Sequence, residues 1–177
     1  MKQGFVKVAS ATPRIRVADP VYNAQVICEQ AKEAAEHGAK IVVFPELCIT
    51  GYTCNDLFLQ ELLLEKAKEA LLTIAEETGQ LETLFLVGLP VDKDGRLYNV
   101  AAVLYRGRIL GMIPKKNIPM YAEFYEGRHF TPGEETVTEY RLGKQVIPFG
   151  SNLLFRCEEL PELILGCELC EDLWVAE

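Results

Sequence analysis

At 177 residues, with 49% apolar and 25% charged side chains, the chain is long enough for one domain with a real core but not comfortably for two. Its 18 basic and 26 acidic side chains leave a net charge of −8, and the densest basic spots are the pairs Arg106/Arg108 and Lys115/Lys116, too small a footprint for nucleic acid or an anionic membrane surface. No apolar run could span a bilayer and the opening MKQGFVKVASATP lacks the apolar region of a secretory signal, so a cytoplasmic location is expected, with reduced cysteines at 28, 48, 54, 157, 167 and 170.

Phe5, Val6, Val8 and Ala9 supply a first strand before Pro13. Asp19-Pro20 then reads as a helix start, an acidic cap followed by a proline in the first turn. Ala24, Ile27, Cys28, Ala31, Ala34 and Ala35 recur at helical spacing as a small apolar face, and Gly38 closes the helix. KIVVFPE is a short apolar strand of the kind buried on both faces. A second helix is predicted over roughly Leu57 to Thr78, with Leu64, Ala67, Leu71, Ile74 and Ala75 inward and Gly79 as its C-cap.

LFLVGLP is the third strand, and VDKDGRLYNVAAVLYRGRILGMIP gives two more, with turns at Asp94-Gly95 and Arg106-Gly107. The stretch from Lys115 to Pro132 is irregular and rich in aromatic and charged residues; LLFRC and LILGCEL read as two further strands. There is no internal repeat, low-complexity tract or linker. Helix and strand alternate early and strands gather later, which predicts an α/β layered sheet.

Polar residues at the ends of three apolar strands are not explained by packing. Glu46 follows IVVF directly, where α/β sheets place their sites, although a surface glutamate in a strand-to-helix loop would look the same. Lys115 ends ILGMIP; Lys116 should point the other way in an extended chain, so at most one of the two faces the same site as Glu46. Cys170 ends LILGCEL where the chain turns polar, a position that exposes a nucleophile and frees the next backbone N–H to face an oxyanion. Cys167, inside the apolar run, reads as a small hydrophobe.

A zinc site would need a second ligand pair, but Cys48 and Cys54 are poorly spaced and neither His37 nor His129 lies near another cysteine. A redox Cys-x-x-Cys wants a helix N-terminus after it, whereas Glu171 and Asp172 follow here and would raise the thiol pKa. Phosphate-loop, dinucleotide, His-Glu-x-x-His and Gly-x-Ser-x-Gly motifs are all absent. If Cys170 is a nucleophile, its base is expected to be a carboxylate.

Together, VVFPELCITGY, IPKKNIP and CELCEDLW resemble the glutamate, lysine and cysteine motifs of the nitrilase (carbon–nitrogen hydrolase) superfamily. TGYTCNDLF, YNVAAVLYRGRILGMIPKKNIPMYAEFYEGRHF and CEDLW look closer still to one branch, the glutaminase domains of glutamine-dependent NAD+ synthetases. The resemblance implies a catalytic triad of Glu46, Lys115 and Cys170. It also implies a supporting carboxylate at Glu123, eight residues past the lysine, an oxyanion N–H from Glu171, and glutamine contacts at Tyr121, Phe124, the Glu171 side chain and Trp174.

The activity so implied is hydrolysis of the glutamine side-chain amide through a cysteine thioester, releasing ammonia for amidation of deamido-NAD+. It needs no metal or organic cofactor, since ATP and magnesium belong to the synthetase domain. No Ser-Gly-Gly-x-Asp motif of such a domain occurs here. Nitrilase domains also continue well beyond their cysteine, whereas seven residues follow Cys170. Residues 1–177 are therefore expected to form the N-terminal part of the glutaminase domain, an incomplete α-β-β-α sandwich with little or no activity alone. The partners implied are glutamine, a synthetase domain and further copies in a homo-oligomer. A stand-alone hydrolase of another amide, nitrile or carbamoyl compound, or an inactive interaction module, are the alternatives.

Overall fold

A computed structural model describes residues 4–175. Its main element is a seven-stranded mixed sheet: β1 (Val8–Ser10), β2 (Ile41–Val43), β3 (Leu84–Lys93), β4 (Arg96–Tyr105), β5 (Arg108–Pro114), β6 (Thr138–Leu142) and β7 (Gln145–Phe149), in the order β1-β2-β3-β4-β5-β7-β6. β1, β2 and β3 run parallel, with α1 (Pro20–Glu36) and α2 (Glu61–Glu77) in the crossovers. β3, β4 and β5 form an antiparallel meander. Its two turns carry positive φ at both central residues, 53° and 73° at Asp94-Gly95 and 47° and 75° at Arg106-Gly107. That is the type I′ geometry whose twist matches the flanking strands.

Both helices lie on one face of the sheet. Asp19 caps α1 by accepting from the Tyr22 N–H at 3.1 Å, with Pro20 at its first position. The small face of α1 (Ala24, Ile27, Cys28, Ala31) and Ala67, Leu71, Ile74 and Ala75 of α2 pack with Val42, Val87, Leu89, Val100, Ala102 and Leu104 into the main core. Side chains alternate along β4, so Ala101 and Val103 point to the opposite face. There they join Ile113 and Leu169 in a second cluster, with Leu153, Phe155 and Cys167 packed at its margin. Among the described residues, no helix is long and apolar enough to cross a membrane.

Several boundaries differ from those the sequence suggests. Tyr52–Leu59 forms a 3-10 stretch kinked at Asn55, and α2 begins only at Glu61; Leu63 rather than Leu64 is fully inward. The β6–β7 hairpin is an addition to the expected strands. LLFRC and LILGCEL reduce to two-residue strands, β8 (Phe155–Arg156) and β9 (Ile164–Leu165), which pair only with each other among the described residues. Cys170 consequently does not end a strand. It lies five residues past β9 and opens the 3-10 turn Cys170–Leu173, with a left-handed backbone at φ 48°.

Candidate active site

Glu46 is carried by the loop after β2, and that loop is strapped to β3. The Phe44 N–H donates to Leu86 O at 3.0 Å and the Ile49 N–H to Gly88 O at 3.1 Å. Backbone approaches backbone so closely here that a Cβ on Gly88 would lie 2.9 Å from Pro45 O and 3.0 Å from the Glu46 carbonyl carbon. Leu47, just after the glutamate, holds φ 52°, a conformation that a leucine adopts only when its surroundings force it. Its side chain is fully buried among Cys54, Phe58, Leu63 and Phe130.

Lys115 follows β5, and its N–H donates to Asn99 O on β4 at 2.8 Å, so strand register sets Asn99 beside it. The Lys115 side chain is 0% exposed. Its ammonium donates to Glu46 Oε1 at 2.8 Å and to Glu126 Oε1 at 2.7 Å. Burial opposes its charge, but the hydrogen bonds to Glu126 and Glu46 outweigh burial and hold its pKa above the usual lysine value. An ammonium has three protons. Two are engaged by the carboxylates and the third remains for a ligand.

Two further side chains complete the cluster. The Asn99 amide, also fully buried, donates to Glu46 Oε1 at 2.5 Å and to Glu126 Oε2 at 3.2 Å, while its own Oδ1 is buried without a partner. Tyr52 donates its hydroxyl to Glu126 Oε1 at 2.8 Å; burial and the neighbouring carboxylate push its pKa up, so it stays a donor. Glu126 is thus fixed by three side chains and is 5% exposed, whereas both hydrogen bonds to Glu46 fall on Oε1. Glu46 is one-fifth exposed, and its Oε2 is the oxygen available to a reacting group. The segment carrying Glu126 is pinned in turn, because Arg128 grips Asp56 with two hydrogen bonds at 2.7 and 2.8 Å and His129 adds a third at 3.0 Å.

Cys170 is exposed and lies within reach of these charges. Desolvation raises its pKa above the usual thiol value, Glu46 and Glu126 raise it further, and the Lys115 ammonium and a hydrogen bond from the Glu171 backbone N–H pull it partly back. The sequence-derived residues Glu46, Lys115 and Cys170 therefore lie within electrostatic reach of one another, with the Glu171 backbone N–H beside the thiol. Tyr121 donates to Glu171 Oε2 at 2.7 Å and stacks edge-on with Phe124 at 5.8 Å between ring centroids, so these three also meet. Trp174 stands 75% exposed. Cys167 lies at the margin of the second cluster, and burial pushes its thiol up to about 11.

One assignment is corrected. The carboxylate on Lys115 is Glu126; Glu123 is exposed. Spacing along an irregular loop does not fix which glutamate turns inward, and here the 3-10 turn Glu126–Arg128 does so. Asn99 and Tyr52 were also missed by the sequence reading. A signal existed for Asn99, the one amide in the apolar strand LYNVAAVLY. Among the described residues, no group of three or more His, Cys, Asp or Glu is arranged to hold a metal ion. A cavity of about 610 Å³ is lined by Ile113, Lys116, Cys167 and Asp172 among others, and does not include Glu46, Lys115 or Cys170 in its walls.

The sequence model of the carbon–nitrogen hydrolase family matches residues 7–177. The chain is 39% identical to the glutamine-dependent NAD(+) synthetase of Mycobacterium bovis, over 98% of this chain and 26% of that protein. It therefore spans about a quarter of the length of the curated relatives it matches. Among solved structures, the glutamine-dependent NAD(+) synthetase of Cytophaga hutchinsonii superposes with a TM-score of 0.86 at 29% identity, covering 94% of this chain and 28% of that one. An amidase from Nesterenkonia sp. shares the fold, with a TM-score of 0.61 at 24% identity over 81% of this chain and 54% of its own.

Proposed function

The chain belongs to the carbon–nitrogen hydrolase family, and on that premise we propose that it is the glutamine-hydrolysing part of a glutamine-dependent NAD+ synthetase. The observation that supports this reading is the fully buried Lys115 ammonium held between Glu46 and Glu126, with Cys170 and the Glu171 N–H beside it. The names of the relatives supply the substrate and the destination of the ammonia.

In the proposed reaction Glu46 Oε2 takes the proton of the Cys170 thiol as the sulfur attacks the side-chain carbonyl of glutamine. The oxyanion settles between the third Lys115 proton and the Glu171 N–H; one such donor is worth about 2.7–4 kcal/mol in comparable sites. Protonated Glu46 then gives its proton to the departing nitrogen, ammonia leaves, and a γ-glutamyl thioester remains on Cys170. Water enters, loses a proton to Glu46 and attacks the thioester carbonyl; the C–S bond breaks, glutamate leaves, and Glu46 returns the proton to the Cys170 sulfur. Glu126 moves no proton; with Asn99 and Tyr52 it holds the lysine and the base in register. Tyr121, Phe124 and the Glu171 side chain would contact the amino-acid end of the substrate. The ammonia would serve ATP-dependent amidation of deamido-NAD+ in a synthetase domain, which would also supply the ATP and magnesium sites.

The test is ammonia release from L-glutamine by the full-length protein, with acid-quenched mass spectrometry for a γ-glutamyl adduct on Cys170. The expected result is turnover with the adduct in the wild type and neither in Cys170→Ala. Ammonia from small aliphatic amides but none from glutamine would overturn the substrate assignment.

A further inference from the structure

Asp172 touches none of the reacting groups in that scheme, yet its carboxylate gathers N–H groups from its own turn and from a segment more than fifty residues away. Oδ1 accepts from the Asn117 N–H at 2.7 Å, the Asn117 side-chain amide at 3.1 Å and the Lys116 N–H at 3.2 Å. Oδ2 accepts from the Leu169 N–H at 3.2 Å, and the Lys116 N–H also lies 3.4 Å from it. A carboxylate that merely capped its own turn would need only the Leu169 N–H. This one also reaches across more than fifty residues of sequence to the backbone immediately after Lys115.

The turn it holds requires such a restraint. Cys170 sits at φ 48°, a left-handed conformation that a cysteine keeps only where its surroundings over-determine it. The segment after β9 is anchored by the buried side chain of Leu169, while Glu168, Cys170, Leu173 and Trp174 face solvent. Leu169 fixes the depth of the segment against the sheet. The Asp172 hydrogen bonds fix its position along the end of β5, where the lysine emerges.

We propose that Asp172 is a positioning residue, latching the turn that carries Cys170 onto the backbone after Lys115 and so setting the sulfur against the ammonium and Glu46. This rests on the assignment of Cys170 and Lys115 to the proposed amide hydrolysis. The latch acts by geometry: the groups that face the Cys170 sulfur are Lys115, Glu46, Glu126 and the Glu171 N–H, with Tyr52 and Tyr121 nearby, while the Asp172 charge bears on Cys167. Released from the latch, the turn carries the thiol away from the buried cluster, and its pKa falls back toward that of a free cysteine.

Two readouts then move in opposite senses in Asp172→Ala. Iodoacetamide alkylation of Cys170, followed by peptide mapping across pH, titrates at the lower, ordinary thiol value and is faster at neutral pH. Ammonia release from saturating glutamine falls about 10²-fold, the usual effect of a misplacement near 1 Å. Asp172→Asn keeps one acceptor oxygen and lies between the two; it decides the matter if Asp172→Ala does not fold. A folded variant with the wild-type alkylation profile would overturn the latch, whatever happens to its melting temperature. If the full-length wild type releases no ammonia from glutamine, the proposed reaction falls, and the alkylation profile alone still judges Asp172.

Discussion

Replacing Gly88 with alanine tests whether the position of Glu46 is set by the contact between its loop and β3. The added methyl would lie 2.9 Å from Pro45 O and 3.0 Å from the Glu46 carbonyl carbon, with the Leu47 nitrogen nearer still. Ordinary contacts of this kind begin near about 3.5 Å, so the loop must retreat by roughly half an ångström at Pro45 and by more than about one ångström at the Leu47 nitrogen. Retreat is resisted by the hydrogen bonds at Phe44 and Ile49 and by the buried Leu47 side chain. Overpacking between two backbones of this kind costs about 1–3 kcal/mol of stability. The same displacement pulls Glu46 Oε1 off its hydrogen bonds to Lys115 and Asn99, for a loss of about 10²-fold in turnover. Urea denaturation followed by circular dichroism, together with glutamine kinetics on the folded variant, measures both quantities. Stability within about 0.5 kcal/mol of wild type would refute the steric reasoning. Lost stability with unchanged turnover in the folded fraction would refute the link from this contact to the base.

Other expected outcomes concern the cluster itself. Cys170→Ala abolishes glutamine hydrolysis and Cys167→Ala leaves it at the wild-type level; equal loss from both in folded proteins would revive a paired-cysteine role. Asn99→Ala removes two hydrogen bonds to carboxylates while also relieving the buried, unpartnered Oδ1. Its stability cost is therefore smaller than the roughly 1.5–3 kcal/mol per hydrogen bond to a charged group would suggest. Steady-state kinetics should show kcat down about 10²-fold with KM little changed, and an unaltered kcat would exclude Asn99 from positioning Glu46. In the unliganded wild type, desolvation, Glu46 and Glu126 together outweigh Lys115 and the Glu171 N–H at the thiol. The alkylation rate of Cys170 should therefore rise through a midpoint above the usual thiol value. A midpoint near neutral pH would mean a preformed thiolate, and no need for Glu46 as base.

Much of the fold is legible in local chemistry. Asp19-Pro20 pairs a capping carboxylate with a first-turn proline ahead of a helix-forming segment, and the paired turns Asp94-Gly95 and Arg106-Gly107 supply the positive φ that a tight hairpin needs. The ends of the apolar runs lead to Glu46 and Lys115 because buried strands leave few places for a charge. The β6–β7 hairpin escapes the same treatment: Tyr140, Leu142, Ile147 and Phe149 face the core, but the other side carries Glu139 and Arg141 on β6 and the exposed Val146 and Pro148 on β7, so the apolar alternation is broken. Its alternation around Gly143 is visible only in retrospect. LILGCEL reads as one long strand because its residues are apolar, but strand length depends on a partner, and among the described residues β9 finds only β8. The selection of Glu126 over Glu123, and the joining of Asp172 to Asn117, depend on contacts between residues far apart in sequence. No periodicity encodes them.

A lysine side chain on a protein surface samples many rotamers, and holding it in one geometry costs roughly 2 kcal/mol of conformational entropy. Lys115 has already lost that freedom, walled in by the sheet and gripped by Glu46 and Glu126 before any substrate arrives. The loss is incurred once, when the chain folds. In the proposed reaction no ordering of this cation remains for the moment at which the oxyanion forms, so the lysine adds little to the activation entropy.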